Sequence, residues 1–287
     1  MRIFLIFFLV FLFIKVFAED FQEKEVVNRN ETMFKPCTAV LGLKHIENGG
    51  VGYNHGYTTM QSRFFFERHH EKVCSFIDLR YHILNDDTQA SNIGVGVRFS
   101  PKLKYVCGLN IYYDFRDKNH HFHQIGIGAE FIGERFDIRV NGYIPVSNEK
   151  ILDYCRYDKY LAGYYLERKK IEAPLEGFDL EIGRLLNHPN SNINIYTAAG
   201  PYYYGGDVCR KSFGGRIRFN TSFYKFFLIE GIVSFDSIFK TRVQGLIKIN
   251  IPLGCKTKKR YKDLFSREVR RHEIIVLDKF CKWKYNY

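Results

Sequence analysis

Residues 94–131 read GVGVRFSPKLKYVCGLNIYYDFRDKNHHFHQIGIGAEF. Inside this stretch Tyr105, Cys107, Leu109, Ile111, Tyr113 and Phe115 alternate one for one with Val106, Gly108, Asn110, Tyr112, Asp114 and Arg116. A β-strand sends successive side chains to opposite faces, so the segment has one apolar face and one that carries the polar and small residues. The runs on either side repeat the split. Ile93, Val95, Val97 and Phe99 oppose Asn92, Gly94, Gly96 and Arg98, and Ile125, Ile127, Ala129 and Phe131 oppose Gln124, Gly126, Gly128 and Glu130.

The same alternation covers most of the chain. Phe136, Ile138 and Val140 oppose Asp137, Arg139 and Asn141; Phe178, Leu180 and Ile182 oppose Asp179 and Glu181. Twelve segments follow the pattern: Thr38–Ile46, Tyr57–Phe66, Cys74–Leu84, Ala90–Phe99, Tyr105–Arg116, His123–Phe131, Phe136–Ile144, Gly177–Leu186, Asn194–Tyr204, Ser212–Asn220, Phe226–Phe235 and Thr241–Pro252. A soluble sandwich also alternates. Two features favour a closed barrel. Opposite charges recur on the polar face of neighbouring segments, which suits a hydrated lumen, and glycines recur on that same face, where a narrow lumen needs space. The expected fold is therefore all-β, a closed antiparallel transmembrane β-barrel of about twelve strands. An even number is the rule for bacterial single-chain barrels.

The N-terminus sets the compartment. Arg2 precedes an apolar run that ends at Val16-Phe17-Ala18, the pattern of a secretory signal peptide cleaved after Ala18. No later stretch has the roughly 18 consecutive apolar residues of a spanning helix. An exported membrane protein without such a helix crosses as a barrel. Aromatic residues make up 17% of the chain, yet its mean hydropathy is -0.26. A barrel with an apolar outside and a wet inside combines the two. The expected organisation is a signal peptide (1–18), a disordered lead-in (19–37), a barrel (38–253) and a basic tail (254–287). If the first strand runs outward, the one long connection, 145–176, falls on the outside, as longer loops do in outer-membrane barrels.

The order of motifs resembles the β-domain of the intimin/invasin family, the inverse autotransporters. There a Gly-x-Gly strand precedes a Gly-x-Asn-x-x-x-Asp strand, a Gly-x-Gly-x-Glu strand and an Asn-x-Tyr strand. The matching positions are Gly94 and Gly96, then Gly108, Asn110 and Asp114, then Gly126, Gly128 and Glu130, then Asn141 and Tyr143. Glu167-Arg168 with Gly177-Phe178-Asp179, the stretch Tyr202–Val208 and the stretch Val269–Leu277 resemble later family motifs in the same order. The resemblance implies a twelve-stranded outer-membrane barrel inserted by barrel-assembly machinery, with a linker that threads the lumen and an adhesive passenger beyond it. Here the sequence stops ten residues past Leu277, so the expectation is a minimal barrel without passenger. Loops, the longest above all, would then contact host or envelope surface proteins. A small-solute pore with a mixed-charge lumen is the alternative.

Eleven charged residues are expected to face the lumen: Arg98, Asp114, Glu130, Asp137, Arg139, Asp179, Glu181, Arg216, Arg218, Glu230 and Lys248. The tail supplies Lys256, Lys258, Lys259, Arg260, Arg267, Arg270 and Arg271. Two arrangements are open. Either the tail lies in the barrel and pairs with the inward carboxylates, or the wall charges pair with each other across strands and the tail hangs free. Unpaired buried charge is costly in both. The basic run KTKKRYK (256–262) is read as contact with anionic outer-membrane lipid and not with nucleic acid, which an exported chain rarely meets. His69-His70 and His120-His121-x-His123 lack Cys or carboxylate companions at metal-ligand spacing and read as turn residues. No Ser-His-acid set stands out, so neither an enzyme nor a cofactor is expected. Seven cysteines in an exported chain leave at least one thiol free or paired with another chain.

Overall fold

In a computed structural model, the described residues are 39–68, 72–101, 105–161, 164–186, 193–206, 210–223, 226–254 and 264–286. The expected signal peptide, lead-in and the cations at 256–260 lie outside them. Among the described residues the chain forms fifteen strands: β1 (Ala39–Glu47), β2 (Tyr57–Arg68), β3 (Val73–Leu84), β4 (Gln89–Phe99), β5 (Tyr105–Asp117), β6 (His121–Gly133), β7 (Phe136–Pro145), β8 (Lys150–Leu161), β9 (Tyr164–Pro174), β10 (Glu176–Leu185), β11 (Ile193–Gly205), β12 (Ser212–Phe223), β13 (Phe227–Asp236), β14 (Arg242–Leu253) and β15 (Leu277–Asn286).

Twelve of them close into an antiparallel barrel in the order β1-β14-β13-β12-β11-β10-β7-β6-β5-β4-β3-β2. Closure comes from β1 against β14, nine pairs from Ala39↔Leu253 to Glu47↔Gly245. Each of the twelve agrees with its expected segment to within three residues. The alternation places the two faces as the sequence implies. Ile93, Val95, Tyr113, Val140, Ile182, Ile247 and Ile249 stand exposed on the outside, while Asp114, Glu130, Asp137 and Lys248 are buried inside. A continuous exposed apolar band of this kind belongs in lipid. No helix among the described residues is long and apolar enough to cross a membrane; the strands cross.

Two regions depart from the expectation. The connection 145–176 is not a plain loop, because it folds into the β8–β9 hairpin. The tail is not structureless, because β15 pairs with β9 through ten residues, Leu277↔Pro174 to Asn286↔Tyr165, giving a three-stranded sheet β15-β9-β8. Set outside the lipid-and-lumen frame of the wall, this sheet lacks the wall's apolar/polar split: Ile151, Tyr154, Tyr157 and Trp283 are exposed, while Leu166, Ile171, Glu172, Ala173 and Asp278 are buried. Tyr157 stacks on Trp283 on one face, and Arg156 lies over the Tyr165 ring on the other.

Between β14 and β15 the linker crosses the lumen from end to end. Leu264, Phe265 and Val269 pack with Val40, Phe65, Phe76, Val106 and Ile132 at the end where β1 begins. Ile274 packs with Ile46, Tyr57, Leu84 and Ala90 towards the opposite end. Val276 then joins Val51, Leu175 and Tyr204 at the rim bearing the hairpin. Short turns lie at the first end and the longest connection at the second, which identifies the second as the outer one.

Candidate functional site: the occupied lumen

After a single turn at Leu264–Arg267 the linker has no strand partner inside the barrel, so most of its backbone polar groups must be satisfied by side chains. The wall supplies them. Arg98 Nη1 donates to the carbonyls of Phe265 (2.5 Å) and Arg267 (2.6 Å), and Arg63 Nη1 to that of Ser266 (2.8 Å). Arg80 Nη2 reaches the Val269 carbonyl at 2.9 Å and Asn141 Nδ2 the Arg270 carbonyl at 3.1 Å. Asn92 Nδ2 donates to the Glu273 carbonyl (2.8 Å) and Arg116 Nη1 to the Ile275 carbonyl (2.6 Å). One linker N–H, that of His272, is taken by the Tyr143 hydroxyl at 2.6 Å, which itself donates to Asp179 at 2.7 Å. Seven carbonyls along the linker are thus held by donors from the wall.

Ion pairs add a second layer. Arg271 meets Asp114 in a two-pronged pair, both contacts 2.6 Å, with each side chain 1% exposed. Asp114 also accepts from Asn92 (2.8 Å) and Gln124 (3.1 Å). Four donors therefore share its two oxygens, the arrangement in which a buried carboxylate is stable. The Arg271 guanidinium lies 4.4 Å from the Tyr112 ring centroid and 5.4 Å from that of Tyr143. Gly126 makes this fit possible, since a Cβ there would lie 2.1 Å from Arg271 Nη2. Gly94 is required in the same way by the Tyr112 ring, 2.2 Å from where its Cβ would be.

Of the tail residues singled out by sequence, Arg267 pairs with Asp137 (2.8 Å), Arg270 with Glu230 (3.3 Å) and Arg271 with Asp114; Lys256, Lys258, Lys259 and Arg260 lie outside the described residues. Other wall charges pair across strands: Arg98 with Glu130 (2.7 Å), Arg139 with Asp137 (3.0 Å), and Arg218 with Glu181 (3.0 Å) and Glu230 (2.8 Å). Both kinds of pairing coexist in one lumen. Asp179 accepts from Asn141 (2.8 Å) and Tyr143 (2.7 Å), and Arg216 lies over the Tyr202 ring. Gly128 leaves room for Asn110 and Asn141, Gly108 for Glu130, and Gly96 for the Phe76 ring.

Sequence reading missed the acids of the linker. Glu273 pairs with Lys44 (2.5 Å) and Arg80 (2.6 Å), and Glu268 with Lys248 (2.5 Å). Wall residues Lys44, Arg63, Asp78, Arg80 and His82 were missed with them. Strand parity could have found the wall set, since Asp78, Arg80 and His82 alternate with Ile77, Leu79 and Tyr81. Nothing periodic marks Glu268 and Glu273, which sit in a run dominated by cations. The histidines at the outer end take ordinary partners, His123 from Tyr113 (2.7 Å) and His121 from Asp117 (3.2 Å), and no metal-holding cluster occurs among the described residues.

At the outer rim Asp278 of β15 takes two contacts from the Arg210 guanidinium, at 2.6 and 3.2 Å, and this bond raises the guanidinium's pKa above its ordinary value. Across the rim Asp86 pairs with Lys118. Partial burial pushes the Asp86 carboxyl up, but hydrogen bonds from Lys118 and Thr88 outweigh it and bring the pKa down to about 2.

The family model for the inverse autotransporter beta-domain matches residues 13–210. No curated protein matches the chain by sequence. Among solved structures, a chain from work described as "Unveiling the Mechanism Behind the in-meso Crystallization of Membrane Proteins" is 16% identical, with a TM-score of 0.61 over 84% of this chain and 100% of its own. An outer membrane channel from Pseudomonas putida F1 is 10% identical, with a TM-score of 0.45 over 79% of this chain and 99% of its own. The KdgM porin is 6% identical, with a TM-score of 0.41 over 73% and 98%. The first shares the fold at a level that sequence identity does not reach. With a family match over most of its length, a closed twelve-stranded wall and a lipid-facing apolar band, the chain belongs to the inverse autotransporter β-domain family, the translocator barrels of the bacterial outer membrane.

Proposed function

We propose that this barrel keeps its lumen closed with its own linker and presents the segment beyond it at the cell surface. The row of seven linker carbonyls held by wall side chains carries this reading. Such donors grip the backbone whatever side chains pass, so the same wall suits a chain in transit and a chain at rest. The pairs Arg271–Asp114, Glu273–Lys44/Arg80 and Glu268–Lys248 then fix one resting register.

In this reading the N-terminal segment is a signal peptide cleaved after Ala18, and barrel-assembly machinery inserts the strands. The outer sheet formed by β8, β9 and β15 is the surface that host or envelope proteins meet, since it presents exposed Ile151, Tyr154, Tyr157 and Trp283 to the medium. The role is one of transport and display, not of catalysis. Cys107, Cys155 and Cys281 carry no disulfide, and Cys281, exposed on β15, is the thiol best placed to link to another chain. Conductance of the full chain in planar bilayers tests the closed lumen: the expected trace is quiet, whereas steady large steps would favour a small-solute pore.

A further inference from the structure

Where the linker leaves the lumen, the outer rim encloses a cavity of about 250 Å³. It lies between the wall, five outer connections, β9 and the start of β15, and its lining is dominated by charge. Three carboxylates face it, and each is already matched. Asp86 pairs with Lys118, Glu172 with Lys279 (3.0 Å), and Asp278 with Arg210 (2.6 Å).

Two further guanidiniums line the same cavity, and neither has a carboxylate within ion-pair distance among the described residues. Arg116, at the outer end of β5, is only 7% exposed. Its Nη1 donates to the carbonyls of Gly52 (2.9 Å) and Ile275 (2.6 Å), while its Nε is buried with no hydrogen-bond partner. Arg242, at the start of β14, donates from Nε to the Phe239 carbonyl (3.0 Å) and from Nη2 to Asn54 Oδ1 (3.0 Å). A cation that is nine-tenths buried, hydrogen-bonded only to neutral carbonyls and favoured by Glu172 and Asp86 only from beyond ion-pair distance, is an expensive arrangement, and the cavity in front of it is the place from which an anion would relieve it.

We propose that this vestibule binds an oxyanion of the phosphate type between Arg116 and Arg242, fastening the linker where it emerges. Guanidinium groups present paired N–H donors that match the oxygens of a phosphate. The cavity is smaller than the roughly 300–1,000 Å³ that buries a drug-sized ligand, so it suits a phosphate or a compact phosphorylated headgroup. The anion would touch the wall through Arg116, the last outer turn through Arg242 and the emerging strand beside Lys279. Two sources share this chemistry, a phosphorylated lipid of the outer leaflet and free phosphate in the medium.

The test uses the purified full chain, titrated calorimetrically with inorganic phosphate. Phosphatidylcholine vesicles with and without a phosphorylated glucosamine lipid form the second arm, read through the emission of the single tryptophan, Trp283, which follows Lys279 on β15. One phosphate per chain is expected, and Arg116→Gln and Arg242→Gln should each weaken it by about tenfold or more. A Trp283 response confined to the phosphorylated vesicles assigns the lipid as the source, and a response to phosphate alone assigns the free anion. If Arg116→Gln fails to fold, Arg242→Gln, whose hydrogen bonds go to Phe239 and Asn54, decides by itself. Absence of binding by phosphate and by both vesicles would overturn the site, as would binding that survives Arg242→Gln. A lumen that stays closed while Arg242→Gln loses phosphate separates this site from the linker plug.

Discussion

The barrel wall and the linker inside it are held by opposite means. The wall is built from backbone ladders, with side chains free to face lipid or lumen. The linker has no ladder until it reaches β9, and most of what fixes it before that point comes from wall side chains. The difference teaches where each part is vulnerable. The wall tolerates side-chain changes that keep the alternation, whereas single side chains decide whether the linker stays seated.

Removing Asp114 should make the largest difference between them. Asp114→Ala leaves the Arg271 guanidinium buried without its carboxylate, and breaking such a pair costs about 3–5 kcal/mol. The expected result is a linker that becomes sensitive to added protease while the folded barrel band on a gel persists. Val95→Ala on the lipid face should leave the linker protected. Equal loss of linker protection in both variants would erase the contrast.

Gly126→Ala sharpens the same point with one methyl group. It would meet Arg271 Nη2 at 2.1 Å, and overpacking of this kind costs about 1–3 kcal/mol. Denaturant titration of linker release should shift to lower concentration, and the shift should shrink when Arg271→Ala is already present.

A smaller effect is expected in the outer sheet. Successive N–H groups of a strand point to opposite neighbours, so one of Lys169→Pro and Lys170→Pro removes a β9–β15 hydrogen bond, worth about 1 kcal/mol. Amide exchange in Leu277–Asn286 should quicken in that variant and barrel amides should not change. The smallest effect concerns the Asp86–Lys118 contact. The Asp86 pKa is about 2, below the ordinary 3.8, so its contribution is complete above about pH 4 and fades as the pH falls towards 2. Outer-loop exchange should rise over that window, and Asp86→Asn should remove the pH dependence.

The contrast also explains what could be read from the sequence. The wall was legible because a strand between lipid and lumen must alternate, and Tyr105–Arg116 or Phe136–Ile144 allow no other register. The inward glycines were legible as space, though not as space for Tyr112 or for an arginine 145 positions downstream. The β8–β9 hairpin was missed because it is not set between lipid and lumen: β8 is largely exposed on both faces, and β9 buries Leu166 and Ile171–Ala173 without strict alternation. Glu268 and Glu273 were missed because an extended segment gripped by side chains has no period; its partners, Lys44, Arg80 and Lys248, are distant in sequence and meet it only once the barrel closes. The carboxylates on the wall were visible and so were the tail cations, but which pairs with which is set by depth in the lumen.

The central claim is that the linker crosses the barrel and delivers the chain beyond it to the outside. An epitope tag placed after Tyr287, probed with antibody on intact cells beside a periplasmic control, tests it most directly. Labelling of the intact cells, with the periplasmic control silent, is the predicted result. A tag reached only after the outer membrane has been opened would contradict it.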